Sequence, residues 1–199
     1  MVLRRKFSGP ILLSIGQLIP RKGFDELLQI YREVLRVRSD IWLLIVGDGP
    51  ARGRYEQYVR EQGWDRVSFI GYVQPSQLPR YLSLSDVFVF HTLYDAFGLV
   101  VGEAMAASLP VVSSIFAVAT RDLVEEGVNG FSINPKDAKT SAEAILKVLD
   151  MTPEQRLMMG QAGYAKVRRF NIQPSAKAII QFIGSLGNHG HTEPGSLSD

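Results

Sequence analysis

Residues 92–110 read T-L-Y-D-A-F-G-L-V-V-G-E-A-M-A-A-S-L-P, and the remaining chain is best understood outward from them. On either side stand short apolar runs, V-F-V-F at 87–90 and P-V-V-S at 110–113, with the form of buried strands. Asp95 and Glu103 are the only charged residues from Val87 through Thr120. A carboxylate in so apolar a setting must be paired, hydrogen-bonded or functional, because burying it bare is costly. Gly98 marks the turn into a helix running to about Ala107, which puts Asp95 in the preceding loop and Glu103 in the first turns. At ~1.5 Å of rise per residue, Glu103 lies about 7–8 Å along the axis from Gly98, so both acids are within reach of one small site. Between them, the amides of Gly98, Leu99 and Val100, free at the helix start and aided by the helix dipole, form an anion seat. The pattern suits a ligand that carries both hydroxyls and a phosphate.

Upstream, P-I-L-L-S-I-G at 10–16 is an apolar run closed by glycine, the form of a strand buried on both faces of a parallel sheet. Q-L-I-P-R-K-G then makes a basic loop, and Phe24, Leu27, Leu28, Tyr31, Val34 and Leu35 recur at helical spacing. I-W-L-L-I-V at 41–46 repeats the strand pattern and leads into G-D-G-P-A-R-G. Those glycines invite a dinucleotide-binding reading, which requires an acid about 20 residues on to hold a ribose. The next strand, at 67–70, ends instead in Gly71-Tyr72, so G-D-G-P is read as a tight turn into a helix starting near Ala51. Pro75 opens a short helix, and His91 reads as a hydrogen-bonded structural histidine beside the site. Downstream, Asn129-Gly130 is a turn before a short final strand, Asp137 caps a helix, and T-P-E-Q at 152–155 has the capping-box form for a helix to about Arg169. Residues 175–186 read as a last helix with an apolar face, and the polar, Gly-rich 187–199 as a disordered tail. With 1–9 as a lead-in and 10–186 as one domain, the alternation predicts an α/β fold. It is a doubly wound, Rossmann-like parallel sheet of about six strands with helices on both faces, and ligands bind at the strands' carboxyl ends.

The run D-A-F-G-L-V-V-G-E-A-M-A-A-S-L-P-V-V resembles the E-x7-E signature of the retaining glycosyltransferases called group 1 or family 4, of GT-B fold. The resemblance covers roughly residues 10–185 and matches the C-terminal, donor-binding half of such an enzyme. It implies that Asp95 contacts donor-sugar hydroxyls, that Phe97, Gly98, Leu99 and Val100 hold phosphate and sugar, and that Glu103 binds the nucleotide ribose. The family's G-R-L-x-x-x-K-G loop corresponds to residues 16–23, which places Lys22 on the diphosphate with Arg21 as a second cation. Gln17 stands where the family has arginine and brings a donor without the charge. Two further departures are Asp95, where glutamate is usual, and Val118-Ala119, where a glycine pair lets backbone approach a ligand. The implied activity is sugar transfer from a nucleoside-diphosphate sugar, with Asp95 and Lys22 as catalytic residues and no cofactor or metal. The implied partner is an N-terminal acceptor-binding domain that this chain begins too late to contain, so the chain alone is expected to bind donor without turnover.

Composition sets the remaining bounds. The 46% hydrophobic content across 199 residues is ample for a core, and a net charge of +2 gives no case for nucleic acid. Residues 1–38 hold eight Lys or Arg against three acids, which fits phosphate, a peripheral contact with an anionic membrane surface, or a solvated face. The absence of cysteine excludes disulfides and thiolate chemistry and accords with a cytoplasmic location. No apolar run approaches the ~18 residues of a membrane span. Three alternatives stand beside the transferase. They are a GT-B relative such as a sugar phosphorylase or epimerase, a nicotinamide enzyme, and a non-catalytic interaction module motivated by Gln17, Val118 and Ala119.

Overall fold

The computed structural model describes Arg4 and residues 7–170, and the expected last helix and tail lie outside the described residues. Six strands form one sheet: β1 (Ile11–Ile15), β2 (Trp42–Val46), β3 (Val67–Gly71), β4 (Val87–Phe90), β5 (Val111–Ser114) and β6 (Gly130–Ile133). Their order is β3-β2-β1-β4-β5-β6 and every pairing is parallel. The four inner strands are buried along nearly their whole length, which is why they read as continuous apolar runs rather than alternating ones. The edge strands β3 and β6 are partly exposed.

Among the described residues there are seven α-helices: α1 (Phe24–Leu35), α2 (Arg52–Glu61), α3 (Leu78–Leu84), α4 (Leu99–Ala106) and α5 (Val118–Leu123) connect successive strands, and α6 (Ala138–Leu149) and α7 (Pro153–Val167) follow β6. Phe24 and Tyr31 of α1, Tyr55 of α2 and Ile145 of α6 pack with Leu12 and Leu43 on one face. Leu82 of α3, Met105 of α4 and Leu123 of α5 pack with Ile11 and Leu13 on the other. Successive residues of β1 thus feed opposite cores, as a strand's period of two demands. Local chemistry sets the helix starts. Asp137 accepts from the Thr140 amide at 3.1 Å, and Thr152 and Gln155 complete a reciprocal capping box at Pro153. The sequence reading did not foresee α5. Its six residues bury only Ala119, Thr120 and Leu123, too few to display a helical period.

Strand order reverses between β1 and β4, which are neighbours although α1 through α3 intervene in sequence. Loops leaving two adjacent strands in opposite directions open a crevice at the carboxyl edge, where open α/β sheets bind ligands. Among the described residues, no helix is long and apolar enough to cross a membrane.

Candidate functional site

The loop after β1 carries Gln17, Arg21 and Lys22, and the loop after β4 carries Asp95, Phe97 and Gly98. The reversal sets them side by side. The Lys22 ammonium forms an ion pair with Asp95, with the two side chains only 17% and 16% exposed, and it also lies 5.8 Å from the centre of the Phe90 ring. Asp95 further accepts the Phe97 amide at 3.3 Å. Burial pushes the Asp95 carboxyl up, but the hydrogen bond and charge of Lys22, with Phe97 N–H and Arg21, outweigh it and hold the pKa below the usual value. Arg21 is exposed and donates one Nη to the Tyr94 carbonyl at 3.4 Å, which leaves most of its fork open to solvent.

Gly98 begins α4 with φ 92°, in the left-handed region, and a Cβ there would sit 2.9 Å from Cε1 of Phe90. Only glycine meets both demands at low cost. Gly98→Ala is therefore expected to lower stability by about 2 kcal/mol in urea unfolding; a loss under ~0.5 kcal/mol would show that the turn relaxes freely. Among the described residues, the amides of Gly98, Leu99 and Val100 make no hydrogen bond, so α4 presents an open N-terminus to the crevice. The segment behind them is anchored: Asp95 N–H donates to Phe116 O at 3.2 Å and Ala119 N–H to Phe97 O at 2.7 Å. Ala119 is wholly buried. Position 119 thus braces the Asp95 loop from behind, a role that spacing alone did not reveal.

Glu103 is exposed and forms no ion pair among the described residues. Of the two acids expected to be paired, hydrogen-bonded or functional, Asp95 is paired and hydrogen-bonded, whereas Glu103 is not buried at all, because α4 buries Val101, Ala104 and Met105 while turning Glu103 to solvent. Glu103 lines a groove of about 350 Å³ with Leu82 and Ala106. Pro75 and Leu78 are shared with a second cavity of about 460 Å³, walled by Gln17, Gly47, Asp48, Tyr72 and Val73. The structure therefore joins Lys22 to Asp95, without contact between the two acids, and sets Gln17 and Glu103 in two adjoining cavities that share Pro75 and Leu78, a divided trough. Sequence reasoning missed Asp48, Tyr72 and Val73. Their signal was position, since each follows the carboxyl end of a strand.

His91 lies under this site rather than in it. Its ring is buried, with Nδ1 2.8 Å from Gly23 O and Nε2 2.7 Å from Ser14 Oγ. A carbonyl only accepts, so Nδ1 carries the proton and Nε2 accepts from the serine hydroxyl. Burial pushes the imidazole pKa down to about 4, outweighing hydrogen bonds to the backbone carbonyls of Gly23 and Lys22 that act the other way, and the Lys22 charge adds a smaller depression. The ring is neutral at physiological pH.

Comparison with known proteins places the fold. Alpha-D-kanosaminyltransferase of Streptomyces kanamyceticus is 30% identical over 153 residues, covering 76% of this chain and 39% of that protein. HepE of Anabaena, solved in complex with UDP, superposes with a TM-score of 0.80 at 23% identity, over 92% of this chain and 52% of that one. The C-terminal domain of a glycosyl transferase group 1 family protein from Francisella tularensis superposes at 0.71 with 22% identity, over 85% of this chain and 91% of that domain. The two structures share the fold. The chain spans about half or less of the first two proteins. A sequence model of glycosyl transferases group 1 matches residues 3–166, most of the chain and all six strands, and the chain belongs to that family.

Proposed function

We infer that this chain is the donor-binding half of a glycosyltransferase that moves a sugar from a nucleoside-diphosphate sugar to an acceptor with retention of configuration. The observation that carries the reading is the meeting, at the β1/β4 reversal, of the Lys22–Asp95 pair with the three unpartnered amides of α4. In this reading the diphosphate lies on Lys22, Arg21 and the amides of Gly98, Leu99 and Val100. Asp95 accepts from sugar hydroxyls beside Phe97. The nucleoside follows the trough past Gln17, with its ribose at Glu103; cavities of 300–1,000 Å³ are typical for ligands of this size. As the bond from sugar to diphosphate breaks, negative charge grows on the leaving group, where Lys22 and the amides of the helix start would stabilise it. No metal is called for, so EDTA is expected to leave binding unchanged. The complex of HepE with UDP supports a nucleoside diphosphate as the ligand class. Acceptor recognition belongs to a partner domain, and sugar transfer by the isolated chain would refute that part of the reading.

Thermal unfolding with UDP, GDP and ADP at about 1 mM tests it, since a ligand of the folded state raises the melting temperature. One nucleotide is expected to give a shift of several degrees, lost in Glu103→Ala. No shift with any of the three would favour the interaction module.

A further inference from the structure

We propose that His91 is a positioning residue that sets Lys22 on Asp95 by holding the carbonyl of Gly23. The inference rests on the reading of Lys22 as the diphosphate-binding residue.

Lys22 is fixed from both sides. On one side, the Arg21 carbonyl accepts from Leu93 N at 3.0 Å, Tyr94 N at 3.2 Å and Thr92 Oγ1 at 3.1 Å. On the other, the Gly23 carbonyl accepts from His91 Nδ1 at 2.8 Å and from Leu27 N, in the first turn of α1, at 2.9 Å. Gly23 itself has φ 73°, and a Cβ on it would lie 2.1 Å from His91 O, so loop and strand end touch backbone to backbone. With residues 21 and 23 tied to the end of β4, Lys22 keeps only its side-chain torsions, and these carry Nζ to Asp95.

Only one of these ties is a side chain held in turn by the neighbouring strand. Ser14 on β1 donates to Nε2 of His91, which selects the tautomer with hydrogen on Nδ1 and aims that hydrogen at Gly23. Phe24 packs edge-on against the ring, with centres 4.6 Å apart, and leaves it little freedom to turn. Ser14, His91 and Gly23 thus form a relay of hydrogen bonds from the interior of the sheet to the backbone of the cationic loop. The ring transfers no proton and touches no ligand; it acts through Lys22.

Two near-isosteric variants separate this role from simple core packing. His91→Asn keeps an N–H donor near the Nδ1 position and loses the acceptor for Ser14. His91→Gln reaches toward Ser14 and loses the donor to Gly23. The first readout is the Asp95 carboxyl pKa by carbon-13 NMR, which needs no nucleotide. It is expected to stay below the usual carboxylate value in the wild type and His91→Asn, and to rise in His91→Gln. The second readout is affinity for whichever of UDP, GDP and ADP binds, expected within about threefold of wild type for His91→Asn and lowered about tenfold or more for His91→Gln. If both variants lower the melting temperature equally and leave the Asp95 pKa and the affinity unchanged, His91 is a core histidine and the proposal fails. If the wild type binds none of the nucleotides, a rise of the Asp95 pKa in His91→Gln still upholds the positioning role, and the failure belongs to the functional reading. Thr92→Val removes the other side-chain donor to this loop and covers the case in which His91→Gln does not fold. Asp95 is expected to keep its depressed pKa there, and a rise would overturn the proposal by giving control of the loop to Thr92.

Discussion

Replacing Lys22 by alanine is expected to lower affinity for a nucleoside diphosphate roughly 30-fold, the loss of one charge-assisted hydrogen bond worth about 2 kcal/mol. The same change strands a carboxylate that is only 16% exposed. Burial, the largest influence on Asp95, would then meet only the Phe97 amide and the more distant Arg21, so the pKa of Asp95 is expected to climb. The sign of the stability effect follows. In the wild type the folded-state pKa is depressed, so the pair stabilises the fold above the ordinary carboxylate pKa and ceases to do so as pH falls through the lower folded value. Lys22→Ala should accordingly cost stability at neutral pH and progressively less as pH falls below the ordinary carboxylate value. Calorimetric titration and unfolding at two pH values check both halves. Unchanged nucleotide affinity would remove Lys22 from the diphosphate site.

A second large effect is expected from acid acting on a group outside the trough. His91 has a folded pKa of about 4, against about 6.5 for an unfolded histidine. Above pH 6.5 neither state holds the proton, and stability is complete. As pH falls from about 6.5 toward 4 the unfolded chain takes up a proton that the native ring refuses, so stability declines at up to about 1.4 kcal/mol per pH unit, roughly 3 kcal/mol in all. Burial sustains the depression, and the charge of Lys22 makes only a small addition to it. The carboxylates with depressed pKa values, Asp40, Asp95, Glu125, Asp137 and Glu154, begin to lose their contributions as pH falls toward their ordinary values of 3.8 to 4.5, so the upper part of this window, above about pH 5, belongs to the histidine. Urea unfolding at pH 7.0 and 4.8 is expected to show the decline in the wild type and to lose most of it in His91→Asn. An equal decline in both proteins would mean that another group titrates.

The legible parts of the chain share a physical cause. β1, β2, β4 and β5 stood out because strands covered on both faces are mostly apolar along their length, with Ser14, Ser113 and Ser114 as hydrogen-bonded exceptions. Asp137, Thr152 and Gln155 marked helix starts because orphan amides require local acceptors. Strand order was not legible, since alternating elements fix the layers and not the sequence of neighbours, and the crevice depends on that order. The contact of Lys22 with Asp95 closes over 73 residues and no spacing rule reaches so far. Asp95, Gly98 and Glu103 could be picked out one by one, yet the burial of the first and the exposure of the last follow from which side of α4 meets the sheet.

The reversal of strand order also divides the chain at a seam. Residues before β4 supply Lys22 and Gln17, residues from β4 onward supply Asp95, the α4 amides and Glu103, and along the sheet the two parts meet only where β1 pairs with β4. Under the proposed function, a ligand would span that seam and fasten one half-sheet to the other. Cutting the polypeptide just ahead of β4 would yield two fragments divided at that seam, and a ligand of the proposed site would favour their reassembly, so that the site would double as a clasp for the fold that builds it.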